Sequence, residues 1–74
     1  MAFNYSKLRG RIVEKYGTQS NFADALGKPI QTISTKLNNK VGFTREDILV
    51  WSKLLDISES EYGAYFFDRN VEQG

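Results

Sequence analysis

Residues 26–40 read LGKPIQTISTKLNNK, and how this stretch is read decides the fold. Gly27 and Pro29 open it, and Asn38, Asn39 and Lys40 close it. Between them Ile30, Ile33 and Leu37 recur at i, i+3 and i+7, which predicts a helix with an apolar stripe one residue wide. The remaining positions, Gln31, Thr32, Ser34, Thr35 and Lys36, are polar. A helix so thinly anchored either decorates a surface or keeps its outer face free to touch something polar.

Working outward, Thr18 is placed to cap a short helix over 19–26, with Phe22, Ala23 and Leu26 on one face and Gly27 as its left-handed terminator. A first helix is expected from about Tyr5 to Tyr16, with Asn4 as N-cap, Leu8, Ile12 and Val13 on its apolar side, and Gly17 as its end. Gly10 falls inside it at a propensity cost of about 1 kcal/mol relative to Ala, as a position of close helix contact would. Thr44 can cap a fourth helix carrying Ile48, Trp51, Leu54 and Leu55, with Trp51 expected in the core. Ser58 and Glu61 have the spacing of a capping box for a fifth, with Tyr62, Tyr65 and Phe66. Period-two alternation is absent, so the fold class expected is all-α.

Seventy-four residues suffice for one hydrophobic core, here residues 1–67, with 68–74 expected as a frayed tail. The chain has no Cys and no His, which removes disulfides, thiolate metal sites and imidazole catalysis; no cofactor is expected. The close carboxylates Glu46-Asp47 and Glu59/Glu61 sit at helix starts, where capping accounts for them, so an enzyme is not expected. No apolar run approaches a membrane span and the N-terminus lacks a signal-peptide core, which predicts a cytoplasmic protein without membrane partners. The net charge of +1 conceals an asymmetry. Residues 1–40 hold seven Lys or Arg against two Asp or Glu, and residues 41–74 hold three against seven. A basic half beside an acidic half fits a polyanion surface, or an ordinary scatter of solvated charge.

Gln19, Ala23, Gly27, Ile33 and Leu37 stand at the spacing of the helix-turn-helix in lambda-type Cro and repressor proteins, and the chain resembles that family. Residues 51–58, WSKLLDIS, are similar to its fourth-helix segment, and residues 4–28 look like small regulators from phages and prophages of low-GC Gram-positive bacteria. The resemblance implies a five-helix, lambda-repressor-like domain with the helix-turn-helix at helices 2 and 3. The departures are Trp51 and Ser52 in place of Leu and Ala, Asp56 in place of a turn glycine, Lys36 at a commonly apolar position, and Pro29-Ile30 where a capping hydroxyl and a polar base reader are usual.

The function implied is a sequence-specific double-stranded DNA-binding regulator, acting near the nucleoid as a dimer on a pseudo-palindromic operator and occluding a promoter. With the third helix in a major groove, Ile30, Gln31, Ser34 and Thr35 would meet base edges. Gln19, Lys36, Asn38, Asn39 and Lys40 would meet phosphates. Lys7, Arg9 and Arg11 could flank the backbone or be solvated. Tyr62, Tyr65, Phe66 and Phe67, four aromatics in six positions, are expected at a homodimer interface. The competing reading is a protein-interaction module, an antitoxin or anti-repressor, for which the apolar Pro29-Ile30 tip argues. No small-molecule substrate is expected.

Overall fold

The computed structural model describes residues 3–69. Five α-helices follow in order: α1 Ser6–Tyr16, α2 Gln19–Leu26, α3 Ile30–Leu37, α4 Arg45–Leu55 and α5 Tyr62–Phe66, the last entered through a 3-10 turn at Glu59–Glu61. No strand occurs among the described residues, so the all-α class stands.

Local chemistry sets the boundaries. The Thr18 hydroxyl accepts from the Asn21 N–H at 3.1 Å and starts α2. Gly27, at φ +75° and ψ +28°, ends it, and the N–H groups of Gly27 and Lys28 both reach the Ala23 carbonyl. That double closure lets the chain reverse into α3 within three residues, and any side chain at position 27 would be strained by the positive φ. Thr44 and Asp47 form a reciprocal capping box at α4, and Ser58 and Glu61 form one at the 3-10 turn. Asp56 closes α4 in the left-handed region at φ +54°, so the turn usually built on glycine here uses aspartate.

Three details of α1 differ from expectation, one being that Val13, placed on its apolar side, is 54% exposed. It begins at Ser6, and Asn4 serves it from outside, its side-chain oxygen accepting the Ser6 N–H at 2.9 Å. Gly10 is exposed, and a Cβ there would meet nothing within 4 Å. It marks no close contact, because α1 turns the Leu8–Ile12 edge inward instead.

Leu8 and Ile12, Phe22 and Ala23, Ile33 and Leu37, Ile48, Trp51 and Leu55, and Tyr65 and Phe66 meet in one core. Rings organise it. Phe43, from the loop between α3 and α4, lies edge-on to Tyr5, Trp51 and Phe66 at centroid distances of 5.3, 4.7 and 5.2 Å. Trp51 continues to Phe22 and Tyr16, Tyr5 to Phe3 and Phe67, and Phe66 to Tyr62. Edge-to-face pairs of this kind each add about 0.5–1.5 kcal/mol beyond the area they bury.

This network corrects the expected dimer surface. Tyr65 and Phe66 are 7% and 1% exposed within a single chain, so they are core residues. Tyr62 is half-buried against Phe66, and only Phe67 stands out in solvent. The surplus of aromatics has an intramolecular reason: a five-residue helix can cover a core of this size only with large side chains. Of the expected tail, the Asp68 carbonyl accepts from the Asn4 N–H and Arg69 lies over the Phe3 ring at 5.4 Å. Residues 70–74 of that tail lie outside the described residues.

Candidate functional site

The α2–turn–α3 unit presents α3 along one edge of the domain, and the two ends of α3 differ. At the N-terminal end Pro29 takes the cap position at φ −65° and ψ +150° and makes no side-chain cap bond. Its ring presets the geometry that a capping hydroxyl would otherwise hold. Ile30 is 46% exposed and Gln31 is exposed; neither packs against the core. Lys28 is exposed just before them. Beside this edge runs an open groove of about 370 Å³ against α4, where Leu26, Lys28, Thr32 and Val50 contribute walls. Lys28 and Val50 were not singled out from the sequence. The Lys-Pro step before α3 was the available signal for Lys28, whereas nothing local marked Val50.

The middle of α3 is partly committed. The Thr35 hydroxyl donates back to the carbonyls of Gln31 and Thr32, at 2.9 and 3.1 Å. The Ser34 hydroxyl receives the Asn38 amide at 3.3 Å.

At the C-terminal end the expected phosphate clasp is mostly structural. Lys36 is 8% exposed, and its ammonium donates to Asp47 Oδ2 at 2.7 Å and to the Gly42 carbonyl at 3.3 Å. It also lies 5.7 Å from the Phe43 ring centre. It cannot reach a phosphate, because it ties α3 to the cap of α4. Burial raises the pKa of Asp47, while hydrogen bonds from Lys36 and from the Thr44 backbone and hydroxyl, with the Lys36 charge, lower it. The hydrogen bonds prevail and hold the carboxyl below the usual aspartate range.

Asn39 sits at φ +62°, and its amide exchanges both bonds with the Phe3 backbone: the Phe3 N–H donates to Oδ1 at 2.9 Å, and Nδ2 donates to the Phe3 carbonyl at 3.0 Å. Its side chain is thus engaged within the fold through both its oxygen and its nitrogen. Asn38 accepts from Arg9 at 2.9 Å while donating to Ser34. Lys40 is exposed, and Gln19 is half-exposed at the start of α2.

The basic character of the N-terminal half also turns inward. Helix C-termini leave unpaired carbonyls and a partial negative charge, and α1 lies across two of them. Arg9 donates to the Leu37 carbonyl of α3 at 3.0 Å. Arg11 donates to the Leu55 and Asp56 carbonyls at the end of α4, at 2.8 and 3.1 Å, and Tyr16 donates to Leu54 at 3.0 Å. Lys15 pairs with Asp56, whose pKa is lowered by that hydrogen bond and by the charges of Lys15 and Arg11. Lys7 lies over the Tyr65 ring at 5.0 Å. Five of the seven cations of residues 1–40 are thus engaged within the fold, Arg9 and Arg11 as caps, Lys15 and Lys36 in ion pairs and Lys7 over a ring.

Among the described residues no group of three or more carboxylate, thiol or imidazole side chains could hold a metal ion, and no helix is long and apolar enough to cross a membrane.

These features define a small all-α domain that holds α3 by its C-terminal end and shows its N-terminal end. The chain belongs to the family described as "Protein of unknown function (DUF739)", whose model matches residues 1–69. It is similar to the solution structure of the modulator of repression (MOR) of the temperate bacteriophage TP901-1 from Lactococcus lactis. That similarity is 42% in sequence identity, covers 97% of each chain and has a TM-score of 0.81. No curated protein matches.

Proposed function

We propose that this chain modulates repression in a temperate phage, inside the bacterial host. We take its working contact to be with a protein of the repression machinery, made through the N-terminal edge of α3. The regulatory role rests on identity to the TP901-1 modulator along nearly the whole length of both chains.

The choice of a protein contact rests on one observation. Of the five side chains expected on phosphates, Lys36, Asn38 and Asn39 are engaged within the fold. What α3 projects is Pro29, Ile30 and Gln31, next to a groove that includes Val50. A duplex-binding surface draws its affinity from many cations on phosphate, and among the described residues Lys28 and Lys40 are the exposed lysines that flank the helix outside any ion pair. An apolar tip with one amide and a groove beside it has the character of a protein interface core.

Duplex DNA is the second reading, favoured by the exposure of Gln31 at the helix start and of Gln19 at the start of α2. On that reading Gln31, Ser34 and Ile30 address base edges, and a two-fold dimer spans half-sites about 34 Å apart.

Filter binding with the purified chain, alone and with the repressor encoded by the same phage, separates the two. The expected result is no retention of random or operator duplex by the chain alone, together with a dose-dependent change in operator retention by the repressor. Saturable retention of duplex by the chain alone, falling steeply with salt, would transfer the assignment to the DNA reading.

A further inference from the structure

A second surface lies away from α3. The N-terminal half of α4 and the 3-10 turn with α5 border a groove of about 510 Å³. Phe43, Ile48 and Tyr62 line it, and Leu49 and Phe67 project at its edges, 51% and 52% exposed. A smaller hollow shares Phe43 and Phe67 with it and adds Val41, itself 49% exposed. Three of the six large apolar side chains exposed among the described residues therefore belong to one continuous patch. A clustered arrangement of that kind, on a surface otherwise rich in charge, marks an interaction site rather than scatter.

Charge at the rim identifies the occupant. Arg45, on α4, and Glu59, on the 3-10 turn, both line the groove and both are exposed. Neither enters an ion pair among the described residues. One unpaired cation and one unpaired anion flanking an apolar groove are complementary to the same surface turned through a two-fold axis. In such a contact residue i meets j while j meets i, so Arg45 of each copy faces Glu59 of the other. Leu49 and Phe67 of each copy then cover the apolar groove of its mate.

We propose that this α4–α5 groove is a self-association surface, occupied by a second copy of the chain in an isologous dimer. It does not use Tyr65 or Phe66, which the core already holds. It shares no residue with the N-terminal edge of α3, so it stands or falls independently of the function proposed above.

Sedimentation equilibrium over a concentration series tests it, with circular dichroism as the check on folding. The wild-type mass should rise toward twice that of one chain as concentration increases. Leu49→Asp, at a position half in solvent, should keep its helical signal and stay at the mass of one chain. Arg45→Glu and Glu59→Arg should each self-associate at least tenfold more weakly, because each places like charges together. Mixed with one another, these two variants should form a heterodimer, since both crossed pairs are again opposite in sign. A wild-type chain of constant single mass overturns the proposal. So does a Leu49→Asp chain that still doubles, or a mixture of the two charge variants that stays monomeric. Wild-type chains that remain monomeric while Leu49→Asp loses its effect on repression would show the groove to be filled by a different protein.

Discussion

The two ends of α3 carry similar residues and do different things. Lys28, Pro29, Ile30 and Gln31 open the helix, and Lys36, Asn38, Asn39 and Lys40 close it. At the closing end Asp47, Arg9 and the Phe3 backbone take hold of Lys36, Asn38 and Asn39. At the opening end the side chains of Ile30 and Gln31 stand in solvent. The asymmetry follows from backbone chemistry. The C-terminal carbonyls of a helix need donors, and this end faces α1 and the N-terminal segment, so polar side chains there are drawn into capping and strapping. The N-terminal end is preset by proline and turned to solvent. Polar residue types therefore indicate function only where the fold leaves them unused.

Breaking the closing end should cost stability in a graded way. Asp47→Ala removes the partner of a buried ammonium and half of the α4 capping box, and urea unfolding should show a loss of about 3 kcal/mol. Acid should weaken the same contact. The folded-state pKa of Asp47 is depressed, so its stabilisation is complete above the ordinary aspartate value of about 3.9 and is lost as pH falls through the depressed value. Urea midpoints measured from pH 6 to pH 2 should therefore decline below about pH 4, and Asp47→Asn should flatten part of that decline.

Asn39→Ala should follow at about 2 kcal/mol by the same measurement. It deletes two bonds to Phe3 and forces alanine to φ +62°. Arg9→Ala should lose about 1 kcal/mol, the contribution of a capping donor shared between a carbonyl and an amide.

Ser52→Ala is expected to be neutral or slightly stabilising, because the Ser52 hydroxyl is buried without a hydrogen-bond partner. A clear loss would reveal a partner for that hydroxyl. Ile30→Asp should leave stability within about 0.5 kcal/mol, since the side chain is half in solvent. It should nevertheless abolish the effect on repressor–operator binding.

Much of this architecture is legible in the sequence, because it is written locally. Thr18, Gly27, Thr44 and the Ser58–Glu61 pair fix element ends through partners three or four residues away. The periodic Ile33 and Leu37 fix which face of α3 is buried. The errors share a different cause. Lys36 meets Asp47 across the α3–α4 loop, Arg9 meets Asn38 from another helix, and Asn39 meets Phe3 from the far end of the chain. No periodicity encodes such pairs. The same holds for Phe66, whose place in the core depends on Phe43, supplied by a loop. A long-range contact turns a candidate ligand into a strut, and only the folded chain reveals it.

In the proposed function the free end of α3 is the contact surface and the closed end is scaffold. Amide shift mapping of the labelled chain tests this directly, by titrating first the repressor from the same phage and then random duplex DNA at low salt. The repressor should move the amides of Lys28, Ile30, Gln31 and Ser34 together with Val50, and leave those of Lys36 and Asn39 in place. Saturable movement with duplex alone, centred on Gln19 and on Asn38 to Lys40, would contradict it.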